Sequence, residues 1–261
     1  MHVEANGIRI HYEVEGDGPW LVTSHSLACS SAMWRAQVDA LKGSFRVLSF
    51  DTRGHGQSDA PAGAYTLDQL SDDLQGLLDA LRIERPHFMG LSMGGMIGMT
   101  HALRHPGRLQ SLVLCDTTSR IPAEARGVWQ QRIDTAQAQG MEPLVASTLQ
   151  RWFTAPFLAR GGDAIARVGD MIRRTPAAGY VGCCHAIRAI DLTDQLGAVT
   201  VPTLVVVGDQ DVGTPVEASR AIHLAIPGAQ LGVIPSASHL SNLEQPETFN
   251  HLVGRFLASV R

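Results

Sequence analysis

Between Ile8 and Glu15 apolar and polar residues alternate. Ile8, Ile10, Tyr12 and Val14 fall on one side, and Arg9, His11, Glu13 and Glu15 on the other. A period of two predicts a strand with one covered face, which suits antiparallel pairing. Asp17-Gly18-Pro19 turns the chain, and the pattern then changes. Trp20 to Ser24, Phe45 to Phe50, His87 to Met89, Leu109 to Cys115, Thr203 to Val207 and Leu231 to Ile234 are short, mostly apolar runs without strict alternation. Such runs predict strands covered on both faces, as in a parallel sheet. Helical signals separate them. Ser31 to Leu41 is compatible with a helix, and Thr66-Leu67-Asp68-Gln69 reads as a capping box followed by Leu70, Leu74, Leu78 and Leu81 on one face. A further helix starts near Met93. Thr214, Pro215 and Glu217 predict an N-cap, a proline at the first helical position and a second capping box, and a last helix reaches about Ala258. Strand and helix in alternation predict an α/β fold, a mostly parallel sheet flanked by helices.

The alternation breaks between Arg120 and Leu192. That segment has no strand-like run and reads as short helices separated by Pro122, Gly140-Met141-Glu142-Pro143, Pro156, Gly161-Gly162 and Pro176. We expect a core of residues 1–119 and 193–261, with 120–192 inserted as a helical lid over the strands' carboxyl ends. Trp129, Trp152, Phe153 and Phe157 are its large apolar side chains.

Composition narrows the function classes. The chain has 261 residues, 44% of them hydrophobic, which fits one large α/β domain with an insertion. No apolar run approaches a membrane span, and the first residues lack a signal peptide's basic and apolar segments. A net charge of -4 gives no reason to expect nucleic acid or a membrane surface as partner. All of the 21 basic residues except Lys42 are arginine. Cys29, Cys115, Cys183 and Cys184 lack zinc-like spacing and are expected to be reduced thiols in a cytoplasmic protein. The oligomeric state stays open.

The candidate chemistry centres on Gly90-Leu91-Ser92-Met93-Gly94, placed between a strand and a helix. A serine on such a tight turn has strained backbone angles and neighbours that tolerate almost no side chain, so its hydroxyl projects at the sheet's edge. The helix start behind it offers free N–H groups to a developing oxyanion. Met93, directly after Ser92, is one candidate donor, and Leu27, in the loop after Trp20 to Ser24, is the other. An acid and a base must follow in chain order. Asp209, Asp211 and Asp116 compete for the acid. Asp211 is preferred because it lies past the strand end, where its side chain can turn toward the edge. His239, in the loop after the last strand, is the base. His25 precedes the nucleophile and reads as a loop brace. His101 and His105 are spaced for zinc, but no glutamate lies between them, and they sit where histidines suit a helix C-terminus.

Several further stretches carry a resemblance: Ser26-Leu27 with Met33-Trp34, Asp51-Thr52-Arg53-Gly54-His55-Gly56, Gly90 to Gly95, Arg151-Trp152-Phe153-Thr154, and Ala237-Ser238-His239-Leu240-Ser241-Asn242. On these the chain resembles an α/β-hydrolase throughout, and within that superfamily the 3-oxoadipate enol-lactonase group. The resemblance implies Ser92 as nucleophile, Asp211 as acid, His239 as base, Leu27 and Met93 as oxyanion donors, no cofactor and no metal. It implies hydrolysis of a small-molecule ester or lactone through an acyl-enzyme. The pocket is expected to draw on His25, Trp34, Trp129, Arg151 and Trp152. Thioesterase, perhydrolase and C–C hydrolase activities use the same triad, and the fold also serves non-catalytic ligand binding. The chain departs from the group at His25 and Ala28, where Asn and Gly are usual, and at Asp116, where Asn is usual.

Overall fold

The strands of the computed structural model, which describes residues 1–260, are β1 (His2–Ala5), β2 (Ile8–Glu15), β3 (Trp20–Ser24), β4 (Arg46–Phe50), β5 (His87–Leu91), β6 (Ser111–Cys115), β7 (Thr203–Gly208) and β8 (Gln230–Ile234). They form one eight-stranded sheet in the order β1-β2-β4-β3-β5-β6-β7-β8. β1 and β2 pair antiparallel, as do β2 and β4, and every pairing from β4 to β8 is parallel. β5, β6 and β7 are buried along their whole length, which is why they read as apolar runs rather than as alternation. The sequence reading missed β1. It is joined to β2 by Asn6-Gly7, both with positive φ (48° and 75°), a two-residue turn that Asn-Gly favours.

Six helices flank the sheet: α1 (Arg35–Leu41), α2 (Leu67–Ala80), α3 (Met93–Arg104), and, numbering onward past the insertion, α9 (Val216–Ala225), α10 (Ser241–Glu244) and α11 (Pro246–Ser259). Ser31–Trp34 form a 3-10 turn before α1. The Thr66 hydroxyl caps α2 by accepting from Gln69 N–H at 3.0 Å. At α9 the expected cap is absent. The helix begins at Val216, and the Thr214 hydroxyl donates instead to the Asp211 carboxylate. His101 also departs from the expected capping role. Its ring is buried against His105, centroids 4.7 Å apart, and burial lowers its pKa to about 4.

Between β6 and β7 the chain forms α4 (Arg126–Gln139), α5 (Glu142–Trp152), α6 (Ala155–Arg160), α7 (Asp163–Arg174) and α8 (Ala177–Arg188). A narrow neck joins them to the sheet. Leu192 N–H donates to Ser119 O at 2.8 Å, Ile121 N–H to Ile190 O at 3.2 Å, and Arg120 pairs with Asp191 and Asp194. α8 rests on the loop after β4 at very short range. A Cβ on Gly179 would lie 2.0 Å from Gly54 O, and one on Gly182 would meet the Tyr65 ring at 2.7 Å. Only glycine permits that approach. Among the described residues, no helix is long and apolar enough to cross a membrane.

Gly179→Ala should therefore push α8 off the Gly54 loop and cost about 1–3 kcal/mol, the usual penalty of overpacking. Urea unfolding at 25 °C measures it, and an unchanged midpoint would mean that α8 has room to move.

Candidate active site

The carboxyl ends of the parallel strands carry the candidate catalytic groups: the His25 to Ser31 loop after β3, Ser92 after β5, Asp116 after β6, Asp211 after β7 and His239 after β8. Ligands of α/β sheets are handled at this edge. Ser92 has φ 56° and ψ -114°, a region that a non-glycine residue occupies only when its surroundings impose it. Its N–H donates to Cys115 O at 2.8 Å, and its carbonyl accepts from the Thr117 hydroxyl at 2.7 Å. The turn is tight because α3 crosses directly over β5 and β3. A Cβ on Gly90 would lie 2.2 Å from Gly94 O, and one on Gly94 would lie 2.1 Å from Ser24 O. Met93 opens α3, so its N–H has no carbonyl a turn earlier to bond.

Asp211 and His239 meet directly. His239 Nδ1–H donates to Asp211 Oδ2 at 2.8 Å. That oxygen also accepts from the Thr214 hydroxyl at 2.6 Å, and Oδ1 accepts from the N–H groups of Gly213 (2.7 Å) and Thr214 (3.0 Å). Burial would raise the Asp211 pKa, but the electrostatic pull of the His239 ring and these hydrogen bonds hold it below its ordinary value. With Nδ1–H pointed at the carboxylate, Nε2 is left free to accept a proton. Ser92 Oγ makes no hydrogen bond of its own among the described residues, and both Ser92 and His239 are nearly covered.

The competing acids have other partners. Asp209 is exposed and, among the described residues, accepts only from Ala237 N–H, at 3.3 Å. Asp116 is fully buried. Its Oδ1 accepts from Gly208 N–H at 2.8 Å, and its Oδ2 accepts from the Ser241 hydroxyl at 2.6 Å. Burial, aided by the nearby charge of Asp211, pushes the Asp116 pKa well above the carboxylate range. It ties the end of β7 to the segment just past His239. Glu244 does similar work, accepting from Ser238 N–H at 2.8 Å and from the Thr154 hydroxyl at 2.7 Å. The sequence reading assigned Asp116 no such role and passed over Glu244, because a carboxylate that staples loops has no local pattern.

Of the expected pocket residues, Trp152 stacks on His239, centroids 5.8 Å apart. Its carbonyl accepts from Leu240 N–H at 3.1 Å, which seats the end of α5 on the histidine loop. The Arg151 guanidinium stands beside the acid loop, with Nη2 3.6 Å from where a Gly213 Cβ would be. Trp129, half-buried on α4, lies under the Arg132 guanidinium, 5.0 Å from its ring centroid. Two expectations need correction. Trp34 has no exposed surface and packs into the core, 6.3 Å from the Phe249 ring centroid, because its turn faces α11 rather than the pocket. His25 is also fully buried and spends both nitrogens on backbone. Its Nδ1 lies 2.7 Å from Ser26 O, which can only accept, so the proton sits there and Nε2 accepts from Thr52 N–H at 2.9 Å. His55 does the same, donating from Nδ1 to Arg53 O at 3.2 Å and accepting at Nε2 from Ala28 N–H at 2.9 Å. Burial lowers the pKa of both rings, that of His55 to about 3.

A cleft of about 880 Å³ opens beside this loop, between α7 and α1. Ser30, Met33, Val168, Met171 and Arg174 help to line it, and Ser92, Asp211 and His239 do not. The candidate catalytic groups thus lie outside this cleft, with Trp152 of the inserted helices against the His239 ring.

Residues 19–246 match the family described as the alpha/beta hydrolase fold. The chain is 36% identical to 3-oxoadipate enol-lactonase 2 of Acinetobacter baylyi, with 95% of this chain and 93% of that protein covered. The crystal structure of the enol-lactonase from Burkholderia xenovorans LB400 matches with a TM-score of 0.95 at 40% identity, over 99% of this chain and 100% of that one. A thermophilic esterase from Thermogutta terrifontis matches with a TM-score of 0.95 at 30% identity, over 100% and 99%. Sequence, fold and strand-end geometry agree: the chain belongs to the α/β-hydrolase family.

Proposed function

We propose that the protein hydrolyses small carboxylic esters and lactones through a Ser92-His239-Asp211 triad, with 3-oxoadipate enol-lactone as its substrate. The observation that carries the reading is the 2.8 Å bond from His239 to Asp211 at the edge where Ser92 sits on its strained turn. The names of the enol-lactonases of Acinetobacter baylyi and Burkholderia xenovorans support the substrate. The departures from that group do not weigh against it. His25 has both ring nitrogens engaged by backbone, and Asp116 has both oxygens engaged by Gly208 and Ser241, so neither presents an idle polar atom to a ligand.

His239 Nε2 takes the hydroxyl proton as Ser92 Oγ attacks the lactone carbonyl, and Asp211 holds the imidazole tautomer and stabilises its charged form. The Leu27 and Met93 N–H groups receive the tetrahedral oxyanion, an interaction costing about 2.7–4 kcal/mol when a donor is removed in other hydrolases. Collapse breaks the ring C–O bond, and His239 returns the proton to the departing enol oxygen, which stays tethered to the acyl-enzyme. Water then gives His239 a proton as its oxygen attacks the acyl carbon; the C–Oγ bond breaks, His239 returns the proton to Ser92 Oγ, and the acid leaves.

Ser92→Ala should lower kcat by about 10⁴ or more with the fold intact. Circular dichroism and turnover of the enol-lactone and of a p-nitrophenyl ester check this, and a variant keeping several per cent of activity would remove Ser92 from the mechanism. Asp211→Asn should cost about 10³–10⁴ in kcat, because the histidine loses its orienting carboxylate. Asp116→Asn should be far milder, since an amide can still accept from Gly208 and engage Ser241; the reverse ranking would move the acid to β6. The substrate itself is tested at Arg151. The enol-lactone carries a carboxylate, whose burial without a cation would cost several kcal/mol. Arg151→Met should raise KM for this anionic lactone about tenfold and barely affect a neutral ester, as a charged hydrogen bond contributes roughly 1.5–3 kcal/mol. Equal losses on both would make Arg151 a brace, and no turnover of the lactone by the native protein would leave a neutral-ester hydrolase.

A further inference from the structure

The loop after β3 and the loop after β4 each lend a histidine to the other. His25, on the first, accepts from Thr52 N–H on the second at 2.9 Å; His55, on the second, accepts from Ala28 N–H on the first at 2.9 Å. Both rings are completely buried, with centroids 5.2 Å apart. The exchange is anchored further by Asp51 Oδ1, which accepts from Ser31 N–H at 2.7 Å.

This arrangement bears on one bond in particular. Ser26 O accepts from His25 Nδ1–H at 2.7 Å and from Cys29 N–H at 3.1 Å. That carbonyl and the Leu27 N–H belong to one planar trans peptide, so pulling the carbonyl one way points the N–H the opposite way. The next peptide is held by His55 through Ala28, whose φ of 58° an unsupported alanine would rarely keep. Both peptides around Leu27 are thus fixed, while Leu27 N–H itself has no acceptor among the described residues. An amide held in place with nothing to donate to is what a developing negative charge requires of its partner. Burial keeps both rings neutral, so each retains a lone pair for the amide it faces.

We propose that His25 and His55 are positioning residues, a reciprocal clasp that aims the Leu27 N–H at the oxyanion. The proposal rests on the reading of Ser92 as nucleophile and Leu27 as oxyanion donor. It touches no substrate atom directly and acts only through the backbone between the two rings.

Two substitutions of His55 separate aim from stability. His55→Asn keeps an N–H donor for Arg53 O but is too short to reach Ala28. His55→Gln extends an amide oxygen toward the position Nε2 held. We expect His55→Asn to lower kcat about 10²–10³-fold while KM changes less than about threefold, since the bond matters only in the transition state. Affinity for a trifluoromethyl ketone, which forms the tetrahedral adduct on serine, should fall by a similar factor. His55→Gln should recover kcat to within about tenfold of the native value. The melting temperature and stoichiometric labelling of Ser92 by a fluorophosphonate report that each variant is folded. If His55→Asn does not accumulate as folded protein, His25→Asn, which keeps a donor for Ser26 O and loses Thr52, is read for the same split. An unchanged kcat with a lowered melting temperature, or equal changes in kcat and KM, would overturn the proposal and leave the clasp a brace. Failure of the underlying reading looks different: the native protein would escape fluorophosphonate labelling, or Ser92→Ala would retain turnover.

Discussion

A serine at φ 56° and ψ -114° sits in a backbone conformation that costs about 1–3 kcal/mol, and the fold is arranged so that it has nowhere else to go. α3 lies so close over β5 and β3 that Gly90 and Gly94 touch carbonyls within distances no side chain would allow. The buried parallel strands supply the rigidity for this. β5 is flanked by β3 and β6, and Ser92 N–H bonds the last residue of β6. The neighbouring loops then have fixed ends to spring from. Asp211 leaves β7 and His239 leaves β8 on the same edge, and their meeting at 2.8 Å follows from parallel register as much as from their own chemistry.

What lay open in the sequence was whatever has a local period or a local turn. The alternation of Ile8 to Glu15, the apolar runs and the glycines around Ser92 each express a short-range rule, and strands β2 to β8 fall close to where those patterns point. A position past the strand end favours Asp211 over Asp209 and Asp116, and Asp211 is the carboxylate that His239 bonds. Thr214 shows the limit. Its placement before Pro215 imitates a helix cap, but its hydroxyl is drawn to Asp211, three residues back along the chain. Contacts between loops were invisible for the same reason. Nothing near Ala28 announces His55, and nothing near Thr154 announces Glu244, which lies 90 residues away. Trp34, read as a pocket wall, turned inward because α11, more than 200 residues downstream, supplies Phe249 to cover it.

The inserted helices are held unevenly. Their α5 end is sewn to the histidine loop by Leu240, Ser238 and Glu244, with the Trp152 ring stacked at 30° against the imidazole. α7, by contrast, borders the open cleft. The end of α5 and the His239 loop are therefore held as one piece, and a displacement of α5 would strain the bonds that place His239.

The paired imidazoles also set a chemical tolerance for the whole molecule. Unfolding would release His25 and His55 to take up protons at the usual histidine value near 6.5, whereas burial holds His55 in the native state at about 3 and lowers His25 as well. Below pH 6.5 the unfolded chain binds protons that the native one refuses, so stability declines as acid is added, by up to about 1.4 kcal/mol per pH unit for each ring. The loss from His55 ends only near pH 3, where the native ring accepts its proton too. Asp211, whose carboxyl is held low, adds a loss of the same sign as pH falls through its native pKa. Proton uptake by two buried rings whose nitrogens bond only backbone is thus one source of the protein's acid limit.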